Sequence, residues 1–151
     1  LEKHVLFGFS GISRLAVKHA KRKIENIENN KTNEQLFRIL DIAKEAKRLF
    51  KKNEDFEKIG KLLDESWKEK KRLANGVSND YIDVIYNIAI KNGAFGGKLM
   101  GAGGGGFFFF IAPPKLHEKI KNSLSNIKVW VPFKIDKNGS QIIFNNENSN
   151  V

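Results

Sequence analysis

The sequence predicts an α+β fold, in which a small, mostly antiparallel sheet carries helices on one face. Strand-like sequence stands near the beginning of the chain, at residues 2–9, and again at residues 107–111. Between them, apolar residues recur at intervals of three and four over several long segments, which is typical of helices that bury one face. Because strands and helices do not alternate regularly, this order favours an antiparallel sheet over a parallel one.

The composition indicates one soluble globular domain, or a part of one. The chain has 151 residues, with 27 lysines and arginines against 17 acidic residues, a net charge of +10 and no cysteine. The lack of cysteine excludes thiol nucleophiles, zinc ribbons and iron–sulfur sites. The longest uncharged run, Leu99–Pro114, is shorter than the ~20 residues that span a bilayer. Since the chain begins at Leu1 and its one methionine is Met100, we expect a fragment whose N-terminal half is missing.

The first strand ends among small residues, where a helix is expected to begin. Alternating apolar residues over 2–9 predict a mostly buried strand. Either Ser10 or Ser13 can cap the first helix, which is expected to end at Asn29-Asn30.

The second helix has a clear predicted start. Thr32 stands three residues before Gln35, which predicts a capping box in which each side chain bonds the other residue's backbone N–H. The apolar stripe that follows predicts about five turns with one buried face. Its residues are Leu36, Ile39, Leu40, Ala43, Ala46, Leu49 and Phe50.

Two more helices follow, and each is bounded by polar residues and glycine. The third is expected to begin at Asp55 and to end at Asn75-Gly76, because glycine readily adopts the left-handed terminus of a helix. Ser78 is expected to cap the fourth, and Asn92-Gly93 is expected to end it. Trp67 lies on the apolar stripe of the third helix, so we predict that it belongs to the core.

The C-terminal part predicts a strand, a helix and a hairpin. Phe107–Ile111 is a strand covered on both faces, and Pro113-Pro114 ends it because proline removes ladder donors. The remaining elements are a helix over Lys115–Asn126, a half-exposed strand through Val129, Val131, Phe133 and Ile135, a turn at Asp136–Gly139, a returning strand over Gln141–Phe144 and a disordered tail over 145–151.

A glycine-rich loop precedes the phenylalanine run. It contains Gly101, Ala102, Gly103, Gly104, Gly105 and Gly106. Glycine lets backbone N–H groups approach phosphate oxygens closely, because no Cβ intervenes. The dinucleotide-binding interpretation fails because a strand follows the loop where a helix is required, and the Walker interpretation fails because Asn92 and Leu99 occupy motif positions. A simple turn at the sheet edge is the alternative, but four consecutive glycines favour a loop that faces phosphate or substrate.

The residues around this loop carry a family resemblance. Lys98–Gly106 closely resembles the third, C-terminal signature of the GHMP kinases, the superfamily of galactokinase and of homoserine, mevalonate and phosphomevalonate kinases. Gly8–Arg14, Glu65–Leu73 and Asn92–Lys98 look like the sugar-phosphate branch, in particular the heptose 7-phosphate kinases. The resemblance covers residues 1–144. It implies a ferredoxin-like antiparallel sheet elaborated with additional helices, which is the second of the two domains in such kinases.

The resemblance also implies an activity. That activity is transfer of the ATP γ-phosphoryl group, with Mg²⁺, to the anomeric hydroxyl of D-glycero-D-manno-heptose 7-phosphate, in a cytoplasmic route to lipopolysaccharide or capsule. The catalytic residues and most contacts to ATP and Mg²⁺ are then expected in the N-terminal domain, so this chain alone should be inactive. Met100 stands where many members have threonine, and Phe107 where many have cysteine. Another sugar of the same superfamily therefore stays open as the substrate.

Several basic residues are candidates for binding a substrate that carries a phosphate, because arginine and lysine suit that anion. The candidates are Ser13, Arg14, Lys70, Lys71, Arg72 and Lys98. The alternative for each cation is an ordinary solvated charge or ion pair, such as the i, i+4 pair of Asp64 and Lys68. His4, His19 and His117 show no metal-ligand spacing, so no metal site is predicted.

A different class of function is an RNA-binding module, in which exposed aromatic residues of a sheet stack on bases beside a basic surface. The sequence does not match the usual signature, which interleaves aromatic residues with a single glycine, whereas Gly103–Gly106 is an unbroken run. We therefore expect the protein's own N-terminal kinase domain and a sugar phosphate as partners, not a nucleic acid or a membrane. Homo-oligomerisation stays open, because an uncovered sheet face would expose an apolar patch.

Overall fold

The computed structural model describes residues 1–13, 24–29, 31–52 and 55–141. The strands are β1 (Val5–Phe9), β2 (Gly96–Leu99), β3 (Phe107–Ile111) and β4 (Val129–Val131). The helices are α1 (Asn33–Lys51), α2 (Phe56–Arg72), α3 (Asp80–Lys91) and α4 (His117–Ser123), and Glu2–His4 and Pro114–Leu116 form short 3-10 turns. Residues 24–28 are also helical.

The sheet has four antiparallel strands in the order β2-β3-β1-β4. Strand β1 lies in the middle, where Phe7 pairs with Phe109 on one side and with Val131 on the other. This strand order, with helices between β1 and β2 and between β3 and β4, is that of a split βαβ, ferredoxin-like sheet. The predicted α+β class is confirmed.

The two faces of the sheet are covered differently. On the inner face, Leu6, Phe108 and Phe110 are buried against α2, α3 and α4 in the main core. On the outer face, Ile111 packs in a second, smaller cluster with residues of α1 and α2, whereas Phe107 is only half-buried. Helices therefore cover all of one face and one end of the other, which differs from the prediction of a one-sided sheet.

The two tryptophans differ in how deeply they are buried. Trp67 of α2 is fully buried, as predicted. Trp130 of β4 is half-buried and packs over Gly8 of β1. A Cβ at Gly8 would lie 2.8 Å from the Trp130 ring, so glycine is required for this contact.

Helix α1 begins where predicted, but the capping box is absent. The Thr32 side chain makes no capping hydrogen bond, and its hydroxyl is buried without a partner among the described residues. The reason is its backbone conformation, with φ −132° and ψ 18°, which is not the extended conformation of a capping residue. The predicted buried face is only partly covered, because Leu49 is buried whereas Leu40 is 49% exposed and Phe50 is 45% exposed.

The caps of α2 and α3 are resolved clearly. Asp55 accepts a hydrogen bond from the Glu57 N–H, so α2 begins as predicted. The cap of α3 is Asn79, which accepts from the Ile82 N–H, and the prediction of Ser78 is wrong. The Ser78 hydroxyl instead donates to Asp83, because a side-chain carboxylate is within 2.9 Å.

The C-terminal block is shorter than predicted. Strand β4 ends at Val131, and residues 132–141 contain no strand, so the strand predicted through Ile135 is wrong. Pro132 follows β4 directly and cannot donate to a ladder, which accounts for its end. The returning strand and tail predicted beyond residue 141 lie outside the described residues, as does most of the first predicted helix.

The sequence analysis did not predict β2. This strand reads Gly-Gly-Lys-Leu, and its glycines have low strand propensity. Gly96 approaches α2 so closely that a Cβ would lie 1.8 Å from the Gly60 carbonyl oxygen. The strand is therefore held by its ladder with β3 and by close backbone packing against α2, neither of which its residue types indicate.

Candidate functional site

The glycine-rich loop connects β2 to β3 and forms the turn of their hairpin. The Met100 N–H donates to the Phe107 carbonyl over 2.8 Å, which closes the base of the loop. Gly101, Gly103, Gly104 and Gly106 all have positive φ, between 74° and 112°. Residues with a Cβ rarely adopt this conformation, so the loop path depends on its glycines.

Backbone hydrogen bonds hold the loop against two other segments. The Gly104 N–H donates to the Val77 carbonyl over 3.0 Å, which ties the loop to the connection between α2 and α3. The Gly106 N–H donates to Ile12 over 2.9 Å, and the Ser10 N–H donates back to Gly106 over 2.9 Å. The loop is therefore fixed at its middle and at its end.

The same two contacts explain two of the glycines sterically. A Cβ at Gly103 would lie 2.7 Å from the Val77 Cα, and one at Gly105 would lie 2.6 Å from the Ile12 carbonyl oxygen. In contrast, a Cβ at Gly101 would meet nothing within 4 Å. Close backbone packing therefore requires glycine in the second half of the loop, while only the backbone conformation requires it at Gly101.

The loop keeps unpaired donors. The N–H groups of Gly101, Ala102, Gly103 and Gly105 form no hydrogen bond within the described part of the chain. A cavity of about 290 Å³ opens beside them, lined by the loop together with Phe7 and Phe107 on the outer face of the sheet. Unpaired backbone N–H groups beside a cavity are suited to bind an anion.

Lys70 of α2 lies against the first part of the loop. Its Nζ donates to the carbonyl oxygens of Leu99, over 2.9 Å, and of Gly101, over 2.8 Å. The same ammonium group lies 5.7 Å from the centre of the Trp67 ring. The predicted substrate cation is thus bonded to the backbone of the loop itself.

The neighbouring candidates on α2 are engaged elsewhere. Lys71 forms an ion pair with Asp83 of α3 over 3.0 Å, and Arg72 forms one with Glu69 over 3.2 Å. The predicted pair of Lys68 and Asp64 is present at 2.7 Å. The structure therefore brings only Lys70, of the α2 cations, to the loop, and a substrate role for the others stays a prediction.

Lys98 of β2 has a different environment. It pairs in register with Phe109 and lines an apolar cavity of about 340 Å³ between α1, α2 and the outer face of the sheet. Burial lowers the pKa of its ammonium group, because the charged form is poorly solvated there. The Lys98 ammonium group makes no hydrogen bond or ion pair with any residue that the structure describes.

The candidates that follow β1 are only partly described. Ser13 is exposed at the end of the described segment 1–13, and Arg14 lies outside the described residues. The sequence analysis missed Tyr81 of α3, whose hydroxyl donates to the Ser10 carbonyl over 3.1 Å. No sequence signal marks this contact, because 71 residues separate its partners.

A hydrogen bond between the buried Tyr86 and the half-buried Asp64 lies near β2. The Tyr86 hydroxyl donates to Asp64 over 2.6 Å, and Asp64 also holds Lys68. Burial, together with this carboxylate, raises the pKa of Tyr86. The pair joins α2 to α3 beside Gly96 of β2.

No metal centre or membrane span is found in the described ranges. No group of three or more histidine, aspartate or glutamate side chains lies close enough there to hold a metal ion. None of the described helices is both long and apolar enough to cross a membrane.

Comparison with known proteins points to one family. The model of the family described as "GHMP kinases C terminal" matches residues 42–128. The D-glycero-alpha-D-manno-heptose 7-phosphate kinase of Campylobacter jejuni is 38% identical over 104 residues. That match spans 68% of this chain and 30% of the relative, so the chain covers less than a third of the relative's length.

Solved structures agree with that match. A Campylobacter jejuni protein described as a sugar kinase has a TM-score of 0.60 and 31% identity, over 91% of this chain and 38% of its own. The L. major mevalonate kinase in complex with R-mevalonate has a TM-score of 0.70 and 20% identity, over 84% of this chain and 40% of its own. At that identity, the second likeness shows the fold alone.

Proposed function

The chain belongs to the GHMP kinase family, as a C-terminal domain, and we propose that the protein containing it is an ATP-dependent sugar-phosphate kinase. In this proposal the substrate is D-glycero-D-manno-heptose 7-phosphate, and its anomeric hydroxyl receives the γ-phosphoryl group. The heptose assignment is supported by the 38% identical relative. Phosphoryl transfer depends chiefly on positioning and on charge stabilisation, which a rigid loop of N–H donors can supply.

The observation that carries the proposal is the anchored loop with its unpaired N–H groups. Phosphate oxygens accept hydrogen bonds from backbone N–H groups in concave glycine-rich loops. The N–H groups of Gly101, Ala102, Gly103 and Gly105 offer such donors beside a cavity. A donor set that is already fixed costs little entropy to organise when the ligand binds.

The proposal includes a second domain of the same protein. The outer sheet face next to the loop carries the half-buried Phe7, Phe9 and Phe107, while Val129 is 49% exposed. Such a face suits a domain that closes over the loop and brings the catalytic groups. We assign the binding of ATP and Mg²⁺ mainly to that N-terminal domain, and we expect this chain by itself to be inactive. The reaction would take place in the cytoplasm, where ATP is available.

The test is an assay of ADP release by the full-length protein with heptose 7-phosphate, other sugar phosphates and free sugars. The Gly103→Ala variant should lose most turnover, because its new Cβ meets Val77 and displaces the loop. Gly139→Ala is the matched control, since Gly139 also has positive φ, at 66°, but meets nothing within 4 Å. Equal loss in both variants would contradict a specific role for the loop.

The sugar profile distinguishes the alternatives. Turnover only with heptose 7-phosphate supports the whole proposal, and turnover with a different sugar keeps the kinase while replacing its substrate. No turnover with any sugar, together with salt-sensitive binding of single-stranded RNA, would favour the RNA-binding alternative. In the present structure the Phe107 ring stacks on the Phe7 ring with 4.8 Å between centroids, so one face of Phe107 is already occupied.

A further inference from the structure

Lys70 reaches the loop from α2 and binds two carbonyls that flank Met100. The Leu99 carbonyl accepts over 2.9 Å and the Gly101 carbonyl over 2.8 Å. The Met100 N–H, between them, donates across the hairpin to Phe107. Both bonds from Lys70 are charge-assisted, which makes them stronger than bonds between neutral groups.

These bonds set the direction of the neighbouring N–H groups. In a trans peptide the C=O and the N–H of the next residue point in opposite directions, and no described peptide bond is cis. In the Leu99–Met100 peptide, the C=O points to Lys70 and the N–H points to Phe107. In the Gly101–Ala102 peptide, the C=O points to Lys70, so the Ala102 N–H points away from Lys70.

The Gly101–Ala102 peptide has little else to hold it. Gly101 has φ +80°, and a Cβ built there would meet nothing within 4 Å, so no described neighbour packs against that side of its backbone. The Ala102 N–H has no hydrogen-bond partner within the described residues. If this peptide turned over, a carbonyl oxygen would replace the N–H and would repel an anion.

We propose that Lys70 is a positioning residue that prevents this peptide flip and thereby presents the Ala102 N–H to a phosphate group of the nucleotide. The nature of the ligand rests on the proposed function, whereas the control of the peptide does not. Lys70 acts through the loop backbone, and it does not need to touch the ligand. This replaces its predicted role as a direct ligand of the substrate phosphate.

The test compares Lys70→Met, Lys70→Arg and the control Lys68→Met. Methionine keeps an unbranched apolar chain beside Trp67 but removes the donors, and arginine keeps charge and donors. Lys68 lies on the same helix, is 64% exposed and pairs only with Asp64 among the contacts described. Its loss should leave the loop unchanged, which separates a specific effect from a general loss of charge.

The first measurement needs no nucleotide and no catalysis. In amide NMR spectra of the protein without ligand, Lys70→Met should add exchange broadening at Gly101, Ala102 and Gly103, while Lys70→Arg and Lys68→Met should not. Titration with inorganic pyrophosphate should shift the Ala102 amide of the wild type and shift it less in Lys70→Met. Unchanged loop spectra in a folded Lys70→Met variant would overturn the proposal.

The second measurement uses the full-length kinase. Lys70→Met should raise the KM for ATP about tenfold, the usual scale for a misplaced charge-assisted contact, with the KM for the sugar changed less than twofold. Lys70→Arg should restore most of the affinity. A rise in the sugar KM alone would identify Lys70 as a substrate ligand and contradict the proposal. If the full-length protein shows no kinase activity, the proposed function fails, and the NMR experiment still decides the role of Lys70.

Discussion

The hydroxyl of Tyr81 donates a 3.1 Å hydrogen bond to the carbonyl of Ser10. Ser10 in turn donates its N–H to Gly106, at the end of the glycine-rich loop. This short chain of bonds links α3 to the segment that follows β1, and that segment to the loop. It shows that the loop is supported from three elements at once, since Lys70 and Val77 hold its other parts.

Tyr81→Phe should weaken this support without disturbing the core, because Tyr81 is 37% exposed and loses only its hydroxyl. We expect a decrease of about 1 kcal/mol in the free energy of unfolding, the usual value for one hydrogen bond. Chemical denaturation measures it, and hydrogen exchange at the Gly106 amide should become faster. Unchanged exchange at Gly106 would mean that Ser10 holds the loop without help from α3.

Gly103→Ala and Gly101→Ala should differ in stability although both glycines have positive φ. At Gly101 only the backbone conformation is penalised, by about 1 kcal/mol. At Gly103 the new Cβ would also lie 2.7 Å from the Val77 Cα. Overpacking of this kind typically lowers the free energy of unfolding by a further amount of about 1–3 kcal/mol. Thermal or chemical unfolding of the two variants tests this order. Equal losses would show that the Val77 segment yields easily.

Lys98→Met should stabilise the protein at neutral pH. Burial lowers the pKa of Lys98 below its ordinary value of 10.5, so the folded state disfavours the charged form. Replacing the ammonium by an apolar group should add about 1 kcal/mol, a typical cost of burying an unpaired polar group. Lys119→Met, at an exposed position of α4, is the control and should change little.

The pH dependence gives an independent check on Lys98. The pKa of Lys98 is lower in the folded state than in the unfolded state, so below pH 10.5 the unfolded chain binds more protons than the folded chain. The free energy of unfolding therefore increases as the pH rises toward 10.5. The difference in unfolding free energy between Lys98→Met and the wild type should therefore shrink between neutral pH and pH 10.5. A constant difference over that range would show that the charge of Lys98 is not the cause.

The contribution of Tyr86 to stability should depend on pH in the opposite direction. Burial and the bond to Asp64 raise its pKa, so the folded state favours the neutral phenol. Stability from this group is complete below the ordinary pKa of 10.0 and is lost as the pH rises above it. Phenolate absorbance should show one tyrosine that ionises only as the protein unfolds, and Tyr86→Phe should remove that step. Two tyrosines that ionise together before unfolding would contradict the buried pair.

Much of the fold could be predicted because its local signals are strong. The periodic apolar residues of α1, α2 and α3 identify three helices, and Asp55 and Gly93 mark helix ends through their intrinsic preferences. Strand β2 could not be predicted from its glycines, since it depends on pairing with β3 and on the close approach of Gly96 to Gly60, 36 positions away in sequence. The cap of α3 is Asn79, one residue after the predicted Ser78, and the Ser78 hydroxyl donates to the Asp83 carboxylate instead.

The candidate site shows the same division. The glycine composition of the loop was sufficient to predict a backbone that can face phosphate, because that property belongs to the residue type. The use of the cations on α2 was not predictable. Lys70 and Lys71 are adjacent, yet they point to different sides of the helix, so one reaches the loop carbonyls and the other reaches Asp83.

Local sequence signals were therefore sufficient to predict helices α1 to α4, the central strands β1 and β3, the position of the glycine-rich loop and the family to which the chain belongs. These follow from periodicity, residue conformation and a local motif, all of which act over short distances along the chain. Long-range packing, in contrast, is responsible for the contact of Lys70 with the loop, for the half-buried Lys98 ammonium group, which has no partner among the described residues, and for the close approach of Val77 and Ile12 to the glycines. Each of these depends on segments far apart in sequence, which meet because burial of the two apolar clusters packs the helices against the sheet.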